Sequence, residues 1–244
     1  MGFKKNNYLC RQMAFISNIF ESFAGLLWPN VCSCCSTGLV RGERYICSHC
    51  MRDLPTTDFY REPDNPVAKI FWGRAIVEHA TAEYFFRKGN NVQKLVYQIK
   101  YRGHKEMGVV LGREMGKSLR DSNFNKIDII VPVPLHQQKL RKRGYNQSEW
   151  IARGVSEALG KPMDAQTLVR RLFTDSQTRK KNYDRWENVN HGFELTDSNS
   201  FAGKHILIID DVITTGATLE ACINAVLSVP GAKTSVATLA FASA

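Results

Sequence analysis

The segment "ILIIDDVITTGATLEAC", residues 206–222, joins a continuous apolar run to two adjacent carboxylates and a threonine-rich turn. An apolar run without polar alternation is typical of a strand that is covered on both faces of its sheet. The residues from Leu219 onward have helical character, so the segment predicts a buried strand, a turn and a helix. Ligands of open parallel sheets bind where such strands end. The segment therefore predicts a fold class and the place of a binding site together.

Apolar runs and helices alternate along the rest of the C-terminal part of the chain. The run "IDIIVPVP" (127–134) predicts a buried strand, and "NQSEWIARGVSEALG" (146–160) predicts an amphipathic helix. The run "TSVATLAFA" (234–242) predicts a last strand. This order of elements predicts an α/β fold, with a mainly parallel sheet flanked by helices.

Three parts of the chain differ in composition. Residues 1–57 hold an amphipathic segment (13–28), which is predicted to be a helix, and most of the cysteines. Residues 58–125 are predicted to be a connector, a strand and helices that pack on the core domain. Residues 126–244 hold the α/β domain itself. We therefore expect one large core with a small N-terminal appendage.

The charge balance points to an anionic partner. The chain carries 33 basic and 23 acidic residues, a formal net charge of +10. Such a charge favours a phosphate-rich small molecule or a nucleic acid, without separating the two. No apolar run reaches the roughly 20 residues that a membrane-spanning helix needs. Charged and polar residues also interrupt the N-terminal apolar stretch, so we expect a cytoplasmic protein without a membrane segment.

The turn after the acidic pair has the features of a phosphate site. Gly216 lets the backbone adopt a positive φ, and the helix that follows presents unpaired N–H groups. Carboxylates repel phosphate but accept hydrogen bonds from vicinal hydroxyls, so Asp210 and Asp211 at a strand end suit the diol of a sugar. The segment thus predicts a site for a phosphorylated sugar. The alternative is an acidic pair that caps a helix, with ordinary loop threonines.

A second candidate anion site lies in "VPVPLHQQKLRKRGYNQSEWIA", residues 131–152. Lys139, Arg141, Lys142 and Arg143 fall within five positions, directly after the first predicted strand of this domain. A charge run is often only a solvated face, and that interpretation stays open. The place of the run, at the carboxyl end of a strand of the same sheet, favours anion binding.

These motifs carry a resemblance to a known family. The string "ILIIDDVITTGATL" resembles the phosphoribosyl pyrophosphate signature of type I phosphoribosyltransferases. The string "VPVPLH…LRKRGYNQ" is similar to a characteristic segment of the ComF/GntX family, competence-type proteins that are phosphoribosyltransferase-like. The resemblance extends over nearly the whole chain and implies a type I phosphoribosyltransferase-like fold.

The resemblance also implies roles for individual residues. Asp210 and Asp211 would bind the ribose 2′- and 3′-hydroxyls. The 5-phosphate would lie on Thr214, Thr215, Gly216, Ala217 and Thr218. Lys139, Arg141 and Arg143, together with substrate-bound Mg²⁺, would neutralise the leaving pyrophosphate. Asp210, Asp211 and Arg143 are the expected catalytic residues.

The polar stretch 168–195 is similar to a mobile hood in that family. Gln177, Thr178, Arg185 and Asn188 match the family pattern "R…QT…R…N…F". A basic surface loop is the alternative. The hood would close over the site and exclude water.

The cysteines predict a metal site. Cys32-x₂-Cys35 and Cys47-x₂-Cys50 are two knuckles separated by eleven residues, which is typical of a tetrahedral zinc site. Disulfides would require an oxidising compartment, for which the chain has no signal. The family carries a zinc ribbon ahead of its transferase domain, usually after a Pro-x₂-Cys entry such as "PNVC" here. We expect structural Zn²⁺ on these four thiolates.

Two functions remain in competition at this point. The first is a phosphoribosyltransferase that uses phosphoribosyl pyrophosphate and Mg²⁺, with an unknown acceptor. The second is a single-stranded DNA-binding accessory of competence or DNA uptake, in which the transferase fold is a scaffold. Tyr97 and Tyr101, beside Lys100 and Arg102, could stack on bases in the second case, or could equally be core residues. The sequence does not indicate an oligomeric state.

Overall fold

The computed structural model describes residues 30–170 and 192–242. The chain divides into two units, Met1–Asp53 and Leu54–Ala244. A four-stranded sheet of order β1-β6-β5-β2, with every pair parallel, forms the centre of the larger unit. Its strands are β1 (Ala80–Phe85), β2 (Ile129–Pro132), β5 (His205–Ile213) and β6 (Lys233–Phe241). The predicted fold class is confirmed.

Helices flank this sheet, and one short helix lies in the smaller unit. The described helices are α1 (Ser48–Arg52), α2 (Pro66–Lys69), α3 (Asn91–Tyr101), α4 (Lys105–Arg120), α5 (Gln137–Arg143), α6 (Gln147–Leu159) and α7 (Ala217–Leu227). Helix α6 ends at Gly160, which has a left-handed φ of 64°. Within the described ranges, no helix is long and apolar enough to cross a membrane.

Strand β5 is buried on both sides, as its apolar run predicts. Ile206, Leu207, Ile208 and Ile209 are each 0% exposed. The strand does not end at the acidic pair, because its pairing with β6 continues to Ile213. Two β-branched residues follow the acids and extend the ladder. The turn toward α7 therefore begins two residues after the acidic pair and not directly after it.

The predicted connector supplies much of the larger unit. Strand β1 is an edge of the main sheet, hydrogen-bonded to β6. Helix α4 packs on α6 with their backbones in close contact, because a Cβ on Gly112 would lie 2.1 Å from the Ile151 carbonyl oxygen. A Cβ on Gly154 would likewise lie 2.2 Å from the Val109 carbonyl oxygen. These glycines allow the two helices to approach closely.

Two short strands stand apart from the main sheet. Strand β3 (Leu168–Arg170) pairs antiparallel with β4 (Phe193–Leu195). They are the two ends of the predicted hood. The hood residues Gln177, Thr178, Arg185 and Asn188 lie outside the described residues, as does the predicted helix at 13–28.

Candidate functional site

The two adjacent carboxylates of β5 have different partners. The Ser148 hydroxyl, from the first turn of α6, donates to Asp210 Oδ1 at 2.8 Å. The Lys100 ammonium, from the last turn of α3, lies 2.9 Å from Asp211 Oδ1. Asp211 is only 5% exposed, and its Oδ2 is buried without a hydrogen-bond partner among the described residues. Other side chains thus hold Oδ1 of both acids, whereas Asp211 Oδ2 lacks a hydrogen-bond partner among the described residues.

The electrostatic environment of Asp210 is unusual for a carboxyl group. Burial first, and the neighbouring Asp211 carboxylate second, raise the pKa of Asp210 to about 7. The hydrogen bond from Ser148 and the charge of Lys100 act in the opposite direction. Since this pKa lies near neutrality, Asp210 can either donate or accept a hydrogen bond under physiological conditions.

The turn after β5 is open toward solvent on one side and packed on the other. Thr214, Thr215, Ala217 and Thr218 are exposed, whereas Gly216 is buried. Gly216 is the N-cap of α7 with a φ of 75°, and as a glycine it has no side chain with which to cap that helix. A Cβ at this position would lie 2.5 Å from Ile70 Cγ2. The turn therefore requires glycine and presents backbone amides to a ligand.

An arginine that the sequence analysis missed supports this turn. Arg74 Nη1 donates to the Thr215 carbonyl oxygen at 2.8 Å and to that of Ile70 at 3.2 Å. Arg74 Nη2 contacts the Glu220 carboxylate in the first turn of α7. Arg74 and Thr215 are 141 positions apart. No local pattern could have identified the contact.

The basic run forms helix α5, and Gly144 ends this helix with a φ of 82°. Helix α5 has no buried residue. Lys139, Arg141 and Lys142 are exposed, and Arg143 is half-buried. The His136 ring, Nδ1, caps α5 by accepting from the Gln138 N–H at 3.2 Å. This is the structural role that turn histidines commonly have.

Arg143 differs from the other basic residues because other side chains hold it. Its guanidinium donates to Gln147 Oε1 and lies 5.3 Å from the centre of the Tyr101 ring. Nearby, the Tyr145 hydroxyl donates to the Ile99 carbonyl oxygen. Three consecutive residues of α3, from Ile99 to Tyr101, therefore connect the acidic pair to the basic run.

The smaller unit contains the predicted cysteine cluster. The four sulfur atoms of Cys32, Cys35, Cys47 and Cys50 lie within 4.8 Å of one another. The Cys35 and Cys47 sulfurs are 3.8 Å apart, close to the edge of a tetrahedron whose metal–sulfur bonds are about 2.3 Å. The set is compatible with structural zinc. His49 instead contacts Asp53, with Nδ1 3.1 Å from Oδ2.

Backbone amides of the knuckles point at these sulfurs. The Cys47 N–H donates to Cys32 Sγ at 3.3 Å, and the Cys34 N–H donates to it at 3.4 Å. Although burial acts to raise it, N–H groups of Cys35, Cys47 and Cys34 lower the pKa of Cys32 to about 6. The pKa of Cys35 is lowered as well, whereas the pKa values of Cys47 and Cys50 are raised, so the four sulfurs favour the thiolate form to different extents.

Comparison with known proteins identifies the family to which the chain belongs. A family model described as "Phosphoribosyl transferase domain" matches residues 106–244, more than half of the chain. The chain belongs to the phosphoribosyltransferase family. The matched range contains both the acidic pair with its glycine turn and the basic helix α5.

Curated relatives of this phosphoribosyltransferase-family chain carry DNA-related names. It is 28% identical over 194 residues to DNA utilization protein YhgH of Escherichia coli K12, covering 78% of this chain and 80% of the relative. It is 25% identical over 197 residues to competence protein ComFC of Bacillus subtilis, covering 80% and 78% respectively. The resemblance to the ComF/GntX family is thereby confirmed.

A solved relative within the phosphoribosyltransferases is more distant. A purine phosphoribosyltransferase from Pyrococcus horikoshii is 20% identical to this chain, with a TM-score of 0.35. The match covers 55% of this chain and 73% of that one. This similarity is too low to assign a substrate.

Proposed function

We propose that this chain binds phosphoribosyl pyrophosphate with Mg²⁺ and transfers the phosphoribosyl group to an acceptor, releasing pyrophosphate. The observation that carries the proposal is the buried Asp211 Oδ2, which lacks a hydrogen-bond partner among the described residues. A buried acceptor left unsatisfied costs free energy, and a sugar hydroxyl would satisfy it. The uncapped turn at Gly216 supplies amides for the 5-phosphate of the same ligand.

The acidic pair would hold the ribose diol. Asp211 would accept one hydroxyl through Oδ2, and Asp210 would accept the other. The exposed turn would bind the 5-phosphate through its backbone N–H groups and threonine hydroxyls, on residues Thr214, Thr215, Gly216, Ala217 and Thr218. Arg74 would keep the turn in place by holding the Thr215 carbonyl.

The basic run would act on the leaving group. During transfer, the bond between the anomeric carbon and the diphosphate oxygen breaks, and its electron pair leaves with pyrophosphate. The acceptor's lone pair forms the new bond to that carbon. Lys139, Arg141 and Arg143 would stabilise the growing negative charge, which is electrostatic catalysis. Mg²⁺, held mainly by substrate oxygens and water, would supply further charge neutralisation.

A calorimetric titration with phosphoribosyl pyrophosphate and Mg²⁺ tests the proposal. We expect the wild-type chain to bind and the variant Asp210→Ala/Asp211→Ala to lose binding. Unchanged titration of the variant would refute the assignment. A screen of nucleobases and amines for pyrophosphate release would then identify the acceptor.

The four cysteines are proposed to bind one structural Zn²⁺. The spacing of their sulfur atoms supports the proposal. Metal analysis of the purified chain should find one zinc per chain, and Cys50→Ser should lower that content and the thermal stability of the chain. A wild-type chain that binds no zinc after refolding with the metal would contradict the assignment.

A second candidate function is single-stranded DNA binding, and one surface favours it. Tyr97 and Tyr101 on α3 are 51% and 63% exposed, with ring centres 5.1 Å apart. Tyr97 lines a groove of about 590 Å³, whose other lining residues are Gln93, Lys94, Gln98, Arg102 and His104. Exposed rings beside cations can stack on successive bases.

Salt dependence separates this function from sugar-phosphate binding. Binding of a single-stranded oligonucleotide should weaken steeply between two salt concentrations. The variant Tyr97→Ala should weaken it further and leave the sugar-phosphate titration unchanged, because the ring that contacts Arg143 is that of Tyr101 and not that of Tyr97. If DNA binding changes neither with the salt concentration nor in the variant, this surface is not the DNA-binding site.

A further inference from the structure

Lys100 is placed unusually for a lysine of an amphipathic helix. Its ammonium lies 2.9 Å from Asp211 Oδ1, and the two side chains are only 23% and 7% exposed. Removing both charges from water is costly, and such an ion pair often contributes little net stability. Its position at the candidate site points to a role other than stabilising the fold.

The contact with Lys100 gives the two carboxylate oxygens of Asp211 different surroundings. Oδ1 is occupied by Lys100, while Oδ2 is buried and has no hydrogen-bond partner within residues 30–170 and 192–242. An ionised carboxylate only accepts hydrogen bonds. Because Lys100 holds Oδ1, the orientation of the carboxylate is fixed, and with it the direction in which Oδ2 accepts a hydrogen bond. Oδ2 is therefore the one oxygen of Asp211 left for a hydroxyl group, which would displace the atoms that now cover it.

The helix that carries Lys100 is fixed at this point. Val96 and Ile99 are 4% and 1% exposed. On the outer side, Tyr145 donates to the Ile99 carbonyl, and Arg143 lies over the Tyr101 ring. The residues on both sides of Lys100 are thus attached to the segment that carries the basic run. A shift of Lys100 would require the last turn of α3 to move as well.

The charge of Lys100 also offsets the repulsion between the two carboxylates of the acidic pair. Two adjacent carboxylates repel each other, and a nearby cation favours their ionised form. Lys100 supplies that cation from a separate helix, while Ser148 supplies only a hydroxyl to Asp210. Without Lys100, Asp211 would lose both its partner and its fixed orientation.

We infer that Lys100 is a positioning residue that sets the selectivity of the site for ribose over deoxyribose. It holds Asp211 so that Oδ2 accepts a hydroxyl of the vicinal diol. The inference rests on the proposed function and deepens it. Lys100 acts on the ligand through Asp211 and not on the diphosphate directly.

The test compares three ligands in the presence of Mg²⁺: ribose 5-phosphate, 2-deoxyribose 5-phosphate and inorganic pyrophosphate. The wild-type chain should bind ribose 5-phosphate about tenfold more tightly than the deoxy sugar, since a hydrogen bond to a charged group contributes about that much. The variant Lys100→Met should reduce this ratio to about one or two and leave pyrophosphate affinity unchanged. Lys100→Arg, which keeps the charge, should restore part of the ratio.

The control is Lys94→Met, which removes the same charge from an exposed position of the same helix. It should retain the wild-type ratio. If Lys100→Met fails to fold, as judged by circular dichroism, Lys100→Gln replaces it and should also lower the ratio.

The outcomes separate this inference from the proposed function. A wild-type chain that binds neither sugar phosphate contradicts the proposed function, and the inference with it. A wild-type chain that prefers ribose, with the same preference in Lys100→Met, overturns only the inference. A large loss of pyrophosphate affinity in Lys100→Met with an intact ratio shows instead that Lys100 contacts the diphosphate.

Discussion

The two ends of the candidate site are built in opposite ways. The acidic pair lies in a buried strand, and each carboxylate has a partner from a different helix, Ser148 or Lys100. The basic run lies on α5, a short helix without buried residues. Buried, hydrogen-bonded groups are fixed before a ligand arrives, whereas exposed charges remain hydrated and screened by salt. In the proposed function, the acidic pair, or sugar end, would thus contribute geometry, and the basic run, or diphosphate end, would contribute charge.

This difference predicts different responses to mutation and to salt. Changes at the sugar end should have large effects that depend little on ionic strength, because the interactions are buried. Changes at the basic end should be smaller for each residue and strongly salt-dependent. The following experiments test that contrast in order of expected effect.

The largest effect is expected for Asp211→Asn, which keeps the shape and removes the charge. Affinity for ribose 5-phosphate should fall by about 10- to 100-fold, the range for a lost hydrogen bond to a charged group. Pyrophosphate affinity should stay within about twofold of wild type, because that ligand has no diol. Calorimetry measures both. The control is Glu157→Gln, which changes an exposed acid on α6. If Asp211→Asn lowers the affinity for both ligands equally, the proposed difference between the two ends of the site is wrong.

Gly216→Ala should come next. Its φ of 75° is strained for alanine, and the added Cβ would lie 2.5 Å from Ile70 Cγ2. The turn must shift, so affinity for ribose 5-phosphate should fall by roughly tenfold. Gly160→Ala is a matched control, because it has a φ of 64° and no atom within 4 Å of its Cβ. If both variants bind like the wild type, the turn does not hold the phosphate.

The basic run should show a gradient. Arg143 is held by Gln147 and the Tyr101 ring, whereas Arg141 is exposed. Pyrophosphate affinity should fall about fivefold for Arg143→Ala and about twofold for Arg141→Ala at low salt. As the salt concentration rises, the loss of pyrophosphate affinity in Arg141→Ala should disappear before that in Arg143→Ala. A larger effect at Arg141 than at Arg143 would reverse our assignment of roles within α5.

The smallest expected effect concerns stability and pH. Burial raises the pKa of Asp210 to about 7 from its ordinary value of 3.8. Between these values the folded chain binds more protons than the unfolded chain, so this group's contribution to stability falls as the pH rises. Asp210→Asn lacks this dependence. Its melting temperature, relative to wild type, should therefore be about 3–5 °C higher at pH 8 than at pH 6, because the change over this range is about one pKa unit.

A differential scanning measurement at both pH values checks this sign. Asp164→Asn is the opposite case, because hydrogen bonds from Thr167 and Gln166 outweigh burial and lower the pKa of Asp164. That variant should lose more stability, relative to wild type, at pH 5 than at pH 3. A melting temperature difference for Asp210→Asn that does not change with pH would show that Asp210 is ionised throughout.

The features of the fold and of the candidate site that the sequence predicted are those that depend on residues close together in the chain. The apolar run before Asp210 identified β5, and Gly160 marked the end of α6. The four cysteines have their ligand spacing within one short segment. Each of these features is set by neighbours in the chain, through periodicity, backbone conformation or spacing.

The parts that sequence missed depend on distant residues. Lys100 meets Asp211, and Arg74 meets Thr215, only after the sheet and its helices have assembled. The extension of β5 to Ile213 depends on β6 as a pairing partner. The close contact between α4 and α6, which Gly112 allows, likewise depends on a residue of another helix, Ile151. Such features follow from tertiary packing, for which one sequence has no periodic signal.

The most direct test of the central claim is a crystal structure with ribose 5-phosphate and Mg²⁺. Our account predicts a ribose hydroxyl within hydrogen-bonding distance of Asp211 Oδ2, with Lys100 still on Oδ1 and the phosphate on the Gly216 turn. A sugar phosphate bound elsewhere, or bound here with its diol turned away from both acids, would contradict it.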